Sequence, residues 1–167
     1  MTLPNDIQMA LQYARGLREF YHTRVDLSDA AGMIRHMLVT REAGFISTMQ
    51  QAVWEHPTSP YLALLRHAGI EREELAALVT REGIEGALQQ LYDAGVYITL
   101  DEFKGRVPIK RGSLDLDTTA SSFDNPLARN DVVSRSGGSR SAGTRLVVDL
   151  RDILSELPAR YLFKQAH

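Results

Sequence analysis

Between Ser59 and Gly95 the apolar residues return every three or four positions, and glycine or proline interrupts them so often that only a series of short helices fits. Ser59-Pro60 places a capping residue before a proline at the first helical position. Tyr61, Leu62, Leu64, Leu65 and Ala68 follow, and Gly69 closes the segment. A helix from Glu71 carries Leu75, Leu78 and Val79; another from Gly83 carries Ile84, Ala87, Leu88 and Leu91 before Gly95 ends it. Upstream, Asn5 or Asp6 caps a helix in which Ile7, Ala10, Leu11, Ala14, Leu17 and Tyr21 share one face. A further helix is expected from Ser28 to His56, with Ala30, Ile34, Met37, Leu38, Phe45, Met49 and Val53 as its buried stripe and Pro57 as its stop. Glycine within a helix costs about 1 kcal/mol relative to alanine, so Gly44 predicts a bend there or a division into two helices.

After Gly95 the pattern changes to short β-type runs. Val96-Tyr97-Ile98 reads as extended, Thr99-Leu100-Asp101-Glu102 is a capping box opening a brief helical turn, and Val107–Lys110 and Ser113–Asp117 read as short strands. Residues 118–130 are polar and turn-forming, a connector broken at Asn125-Pro126. Asp131-Val132-Val133 and the run from Arg145 to Asp149 read as strands, and Leu150 to Gln165 as a helix interrupted or kinked at Pro158. The expected fold class is therefore α+β: a mainly helical part over residues 1–95, then a small mixed segment over residues 96–167 with an antiparallel β element and a C-terminal helix. One continuous domain is the alternative division.

Composition narrows the chemistry. A hydrophobic share of 44% over 167 residues is enough for a packed core, and a net charge of −2 gives no general attraction to nucleic acid or anionic membrane. There are no cysteines, which removes disulfide and thiolate chemistry and is compatible with a reducing cytoplasm. No apolar run approaches the roughly 20 residues that span a bilayer, and Met1-Thr2-Leu3-Pro4-Asn5 lacks the features of a signal peptide. The reading is a soluble cytoplasmic protein. The five histidines, His22, His36, His56, His67 and His167, lack the spacing of a metal pair, so no metal site is expected. No Gly-x-Ser-x-Gly elbow is present, and no catalytic residue is assigned.

The stretch from Ser134 to Arg145 is the least like packing: glycine, hydroxyl and guanidinium groups lie between two β-branched runs. Glycine allows close backbone approach, hydroxyls donate hydrogen bonds and arginine offers a planar fork, a composition suited to phosphate oxygens. The strand, loop, strand context is neither that of a Walker loop nor that of a dinucleotide fingerprint. A bare Gly/Ser hairpin is the other reading of the same residues. Upstream, Lys104, Arg106, Lys110 and Arg111 form a basic cluster. Either it converges with Arg135, Arg140 and Arg145 on one polyanion, or Asp101, Glu102, Asp115 and Asp117 neutralise it locally.

Val96-Tyr97-Ile98-Thr99-Leu100-Asp101-Glu102-Phe103-Lys104-Gly105-Arg106, followed by Arg135-Ser136-Gly137-Gly138-Ser139-Arg140-Ser141-Ala142-Gly143-Thr144, resembles the N-terminal part of adenylate-forming enzymes of the acyl-CoA synthetase type, in the phenylacetate-CoA ligase and acyl-protein synthetase branch. The resemblance spans Pro57 to Asp149. It implies an ATP-dependent, AMP-forming ligase in which a Ser/Thr/Gly-rich loop between two strands holds the phosphates of ATP, with magnesium, while a carboxylate attacks the α-phosphorus. Carried over residue by residue, Ser136, Gly137, Gly138, Ser139, Arg140, Ser141, Gly143 and Thr144 bind the nucleotide. A carboxylic acid is the implied substrate, and CoA or a carrier protein the acceptor. Family loops place Thr-Thr-Gly or Thr-Ser-Gly after Ser-Gly, whereas this chain has Ser-Arg-Ser-Ala-Gly. The later regions that hold adenine, ribose and acyl group have no place in 167 residues. The isolated chain is thus expected to be inactive: the front piece of a longer enzyme, a subunit completed by another chain, or a relic used for binding. A non-catalytic helical interaction module with a flexible Gly/Ser hairpin is the rival.

Overall fold

The computed structural model describes residues 5–128, 132–135 and 145–167, and it divides into two units. One combines residues 1–39 with 128–167; the other is residues 40–127. Gly95, where the sequence changes character, lies inside the second.

In the first unit, helix α1 (Asn5–His22) and helix α2 (Ala30–Val39) both pack against helix α7 (Leu150–Gln165). Strands β3 (Val132–Arg135) and β4 (Arg145–Val148) pair antiparallel, from Val132 opposite Val148 to Arg135 opposite Arg145. Asp149 then caps α7: its carboxylate accepts from the Arg151 N–H at 2.9 Å and pairs with the Arg151 guanidinium. The helix continues through Pro158, whose ring is fully buried. The apolar stripe of α1 is less covered than its spacing predicts, since Ile7, Leu11 and Tyr21 are exposed, and among its residues of described burial Gly16 is the buried one. On α2, Ala30 is buried while Met37 and Leu38 are exposed, which corrects the expected stripe. Period 3.6 selects a face, but burial needs a neighbour on that face.

The second unit begins with helix α3 (Arg41–Met49), separated from α2 at Thr40. The expected bend at Gly44 is absent, because glycine can adopt helical dihedrals and its N–H donates to the Thr40 carbonyl at 2.9 Å. The division falls instead at two adjacent β-branched residues, Val39 and Thr40, which lose side-chain freedom in a helix. The helix then widens into a π turn, Gln50–Trp54, closed by Glu55 N–H donating to the Gln50 carbonyl at 3.1 Å. Helix α4 (Pro60–His67) follows, with Pro60 in its first turn as expected.

Helix α5 (Arg72–Asp93) is interrupted at Gly83, where φ is 71° and ψ 176°, so two helical pieces meet at a residue no L side chain would favour. At its end Gly95, with φ 85°, donates to the Tyr92 carbonyl and Val96 to that of Leu91, a Schellman closure that brings Val96 near Leu91. Leu62, Leu65, Leu75, Val79, Ala87 and Leu91 form the core with Val53 and Leu78. Phe45, Met49, Trp54 and Ile84 pack around it.

Val96-Tyr97-Ile98 forms no strand, against expectation. The single turn α6 (Leu100–Phe103) has the full capping box, Thr99 Oγ1 accepting from the Glu102 N–H and Glu102 accepting from the Thr99 N–H. Strands β1 (Ile109–Arg111) and β2 (Leu114–Leu116) form an antiparallel hairpin, Ile109 opposite Leu116. The mainly helical α+β architecture therefore stands. The stretch read as a connector is partly ordered: Ala120–Phe123 is a 3-10 turn capped by Thr119, and Phe123 meets Tyr61 edge-on and Phe103 at a tilt, with ring centroids 6.0 and 5.3 Å apart. Local Ser/Thr hydrogen bonding and one aromatic anchor supply the order that polar composition conceals.

Candidate functional site

Three features of the chain bear on function. The first is the β3–β4 hairpin. Its register brings Arg135 opposite Arg145, and the sequence joining those paired ends is residues 136–144. Ser136, Gly137, Gly138, Ser139, Arg140, Ser141, Gly143 and Thr144 all lie outside the described residues, so what is established is the antiparallel strand pair on either side of them.

The second is the basic cluster, of which Arg106, Lys110 and Arg111 each pair with a nearby carboxylate. Arg106 pairs with Asp101 at 2.9 Å and Lys110 with Asp115 at 3.1 Å. Arg111 is the most committed. Its guanidinium meets Glu102 at 2.8 and 3.3 Å, donates to the carbonyls of Gly95 at 3.0 Å and Tyr97 at 2.9 Å, and lies 4.1 Å from the Tyr97 ring centroid. Glu102, buried, is held down to a pKa of about 2, first by the Arg111 hydrogen bonds and then by those of Thr99, against the opposing effect of burial. These contacts explain why residues 96–98 do not join a sheet: two nearby carbonyls are bound by a guanidinium and not by a neighbouring strand. Arg111 is thus a structural clamp, committed to Glu102 and to backbone carbonyls and not to a polyanion; Arg140, part of the expected convergence, lies outside the described residues. The charge alternation in Asp101, Glu102, Lys110, Arg111 and Asp115 is the sequence signal for that outcome.

The third is a cleft of about 520 Å³ within residues 40–127 that sequence reasoning missed. The π turn supplies Ala52 and Val53, α4 supplies Tyr61 and Leu65, and α5 supplies Leu88 and Leu91. Further walls come from α3, from the segment between the π turn and α4, from Val96, and from the 3-10 turn and the residues after it, Ser121 to Pro126. The spacing of Phe45, Met49 and Val53 reads as core, and each does pack on or in the core while also lining the cleft. Phe123, in edge contact with Tyr61, is one of the side chains that wall it. Burial pushes the Tyr61 hydroxyl pKa up.

Among the described residues no cluster of His, Asp or Glu could hold a metal, and no helix is long and apolar enough to cross a membrane. His56 lines the cleft, and His67 sits in the last turn of α4, where a positive charge favours the helix dipole. No family model, curated protein or solved structure matches the chain.

Proposed function

We propose that the chain is the front part of an AMP-forming carboxylate-activating enzyme and contributes the loop that holds the phosphates of ATP. The observation supporting this reading is the β3–β4 pair, whose register ends at Arg135 opposite Arg145 and so brackets residues 136–144. A strand on each side of such a run is what the resemblance implies, and it differs from the strand-to-helix setting of the Walker and dinucleotide loops. The donor set of the run fits phosphate: hydroxyls at Ser136, Ser139, Ser141 and Thr144, an Arg140 fork, and glycines at 137, 138 and 143 that leave the backbone approachable. ATP, when bound, supplies the α-phosphorus that a carboxylic acid attacks, and magnesium travels with the triphosphate in this reading. CoA or a carrier protein is the acceptor that the same reading implies.

Nucleotidyl transfer needs a metal, base recognition and positioned cations together, so a phosphate loop alone supplies only part of the transition-state stabilisation. The isolated chain is expected not to exchange labelled pyrophosphate into ATP in a carboxylate-dependent way. Joined to or mixed with the region that completes the site, it is expected to bind ATP and magnesium by calorimetry. Arg140→Ala should then weaken binding by roughly tenfold or more, the worth of a charge-assisted hydrogen bond. Gly138→Val should weaken it as well, by restricting φ and placing a branched side chain against the anion. Parental affinity in both variants would leave the loop a plain hairpin.

A further inference from the structure

We infer that the cleft in residues 40–127 is a binding site for an uncharged small molecule with an aromatic or branched apolar body and one hydrogen-bonding oxygen. Its volume of about 520 Å³ falls in the range of small-molecule sites, roughly 300 to 1,000 Å³. Its apolar walls are Phe45, Met49, Leu88, Leu91, Val96 and Phe123. Aromatic rings and an adaptable methionine suit a rigid apolar body better than a polar one.

The polar groups on the walls indicate the rest of the ligand. His56 and Ser59 are half-buried, and neither side chain makes a hydrogen bond with a described residue. Half-buried donors of this kind are satisfied by water or by a ligand oxygen, and an imidazole N–H or a serine hydroxyl can donate to a carbonyl or hydroxyl. The walls favour an uncharged ligand: among the described residues no lysine or arginine lines the cleft, so a carboxylate or phosphate entering between its apolar side chains would lose water without a described guanidinium or ammonium to offset the cost. The site is therefore chemically distinct from the phosphate loop proposed above and does not depend on it. The walls come from four separate segments, the π turn with α3, α4, α5 and the 3-10 turn, which makes a cup and not the long stripe that would seat an amphipathic helix.

Trp54, the single tryptophan of the chain, adjoins Val53 and packs against the core, so it reports on the cleft without labelling. The probe is N-phenylnaphthylamine, an uncharged aromatic fluorophore. It is expected to bind the chain saturably at one site, with energy transfer from Trp54. Thr48→Phe and Leu88→Arg alter lining residues that are exposed enough to be replaced without disturbing the core, and each should weaken binding by roughly tenfold or more. Ser47→Phe, one position away on α3 and outside the cleft, should leave it unchanged. Circular dichroism and urea unfolding establish that the variants are folded. The inference is overturned if the parent shows no saturable binding, or if folded Thr48→Phe and Leu88→Arg bind the probe as tightly as the parent. Displacement of the probe by apolar peptides but by no uncharged small aromatic would overturn it equally, in favour of a peptide groove.

Discussion

Arg111 donates to the buried Glu102 carboxylate and to the carbonyls of Gly95 and Tyr97, so truncating it leaves three acceptors without their guanidinium. Breaking a buried pair from one side costs about 3 to 5 kcal/mol, because the remaining charge stays desolvated. Arg111→Ala is expected to lower the urea midpoint accordingly, and Arg111→Lys to recover only part, since an ammonium cannot reach the carboxylate and both carbonyls as a planar fork does. The same pair sets an acid dependence. Glu102 ionises at about 2 in the folded chain against an ordinary 4.5, so its stabilisation is complete above the unfolded value and is lost as pH falls from there through about 2. A difference of that size corresponds to roughly 3 kcal/mol at neutral pH. Urea unfolding between these limits should show stability falling with pH more steeply in the parent than in Glu102→Gln.

Helix α5 and helix α3 each contain a glycine in an apolar spacing of three and four, and the two are expected to respond oppositely to alanine. At Gly83 the backbone lies at φ 71° and ψ 176°, and an added Cβ would come no nearer than 3.7 Å to the Glu42 carboxylate. The cost there is one of dihedral angle and not of space, about 1 to 3 kcal/mol for Gly83→Ala. At Gly44 the dihedrals are helical and a Cβ meets nothing within 4 Å, so Gly44→Ala should stabilise by about 0.4 to 1 kcal/mol through the unfolded chain. Thermal and urea unfolding of the two variants check both signs. Sequence spacing treats these glycines alike, and only the backbone shows that one terminates a helix while the other is carried through it.

Residues 40–127 hold their own core, built around Leu62, Leu65, Leu75, Val79, Ala87 and Leu91, and the Arg111–Glu102 clamp lies in the same unit. Expressed alone, they are expected to unfold cooperatively in urea with a helical far-ultraviolet spectrum; a non-cooperative profile would show that the unit needs the rest of the chain. The sequence by itself determined most local elements: Pro60 and the Thr99–Glu102 capping box begin helices, Gly69 and Gly95 end them, and β-branched runs mark β3 and β4, though the run at residues 96–98 forms no strand. These were legible because caps, turns and periodicity act over a few residues. The phosphate-loop reading also rests on local composition, and the structure adds the strand pairing beside it. Three outcomes belonged to tertiary structure alone: that residues 1–39 join residues 128–167 in one unit, that Arg111 and not a strand takes the carbonyls of Gly95 and Tyr97, and that Phe123 seats against Tyr61 and Phe103 to wall a cleft. Each depends on groups distant in sequence meeting in space, and a hydrogen-bond acceptor or an apolar face has no fixed partner until the chain has folded around it.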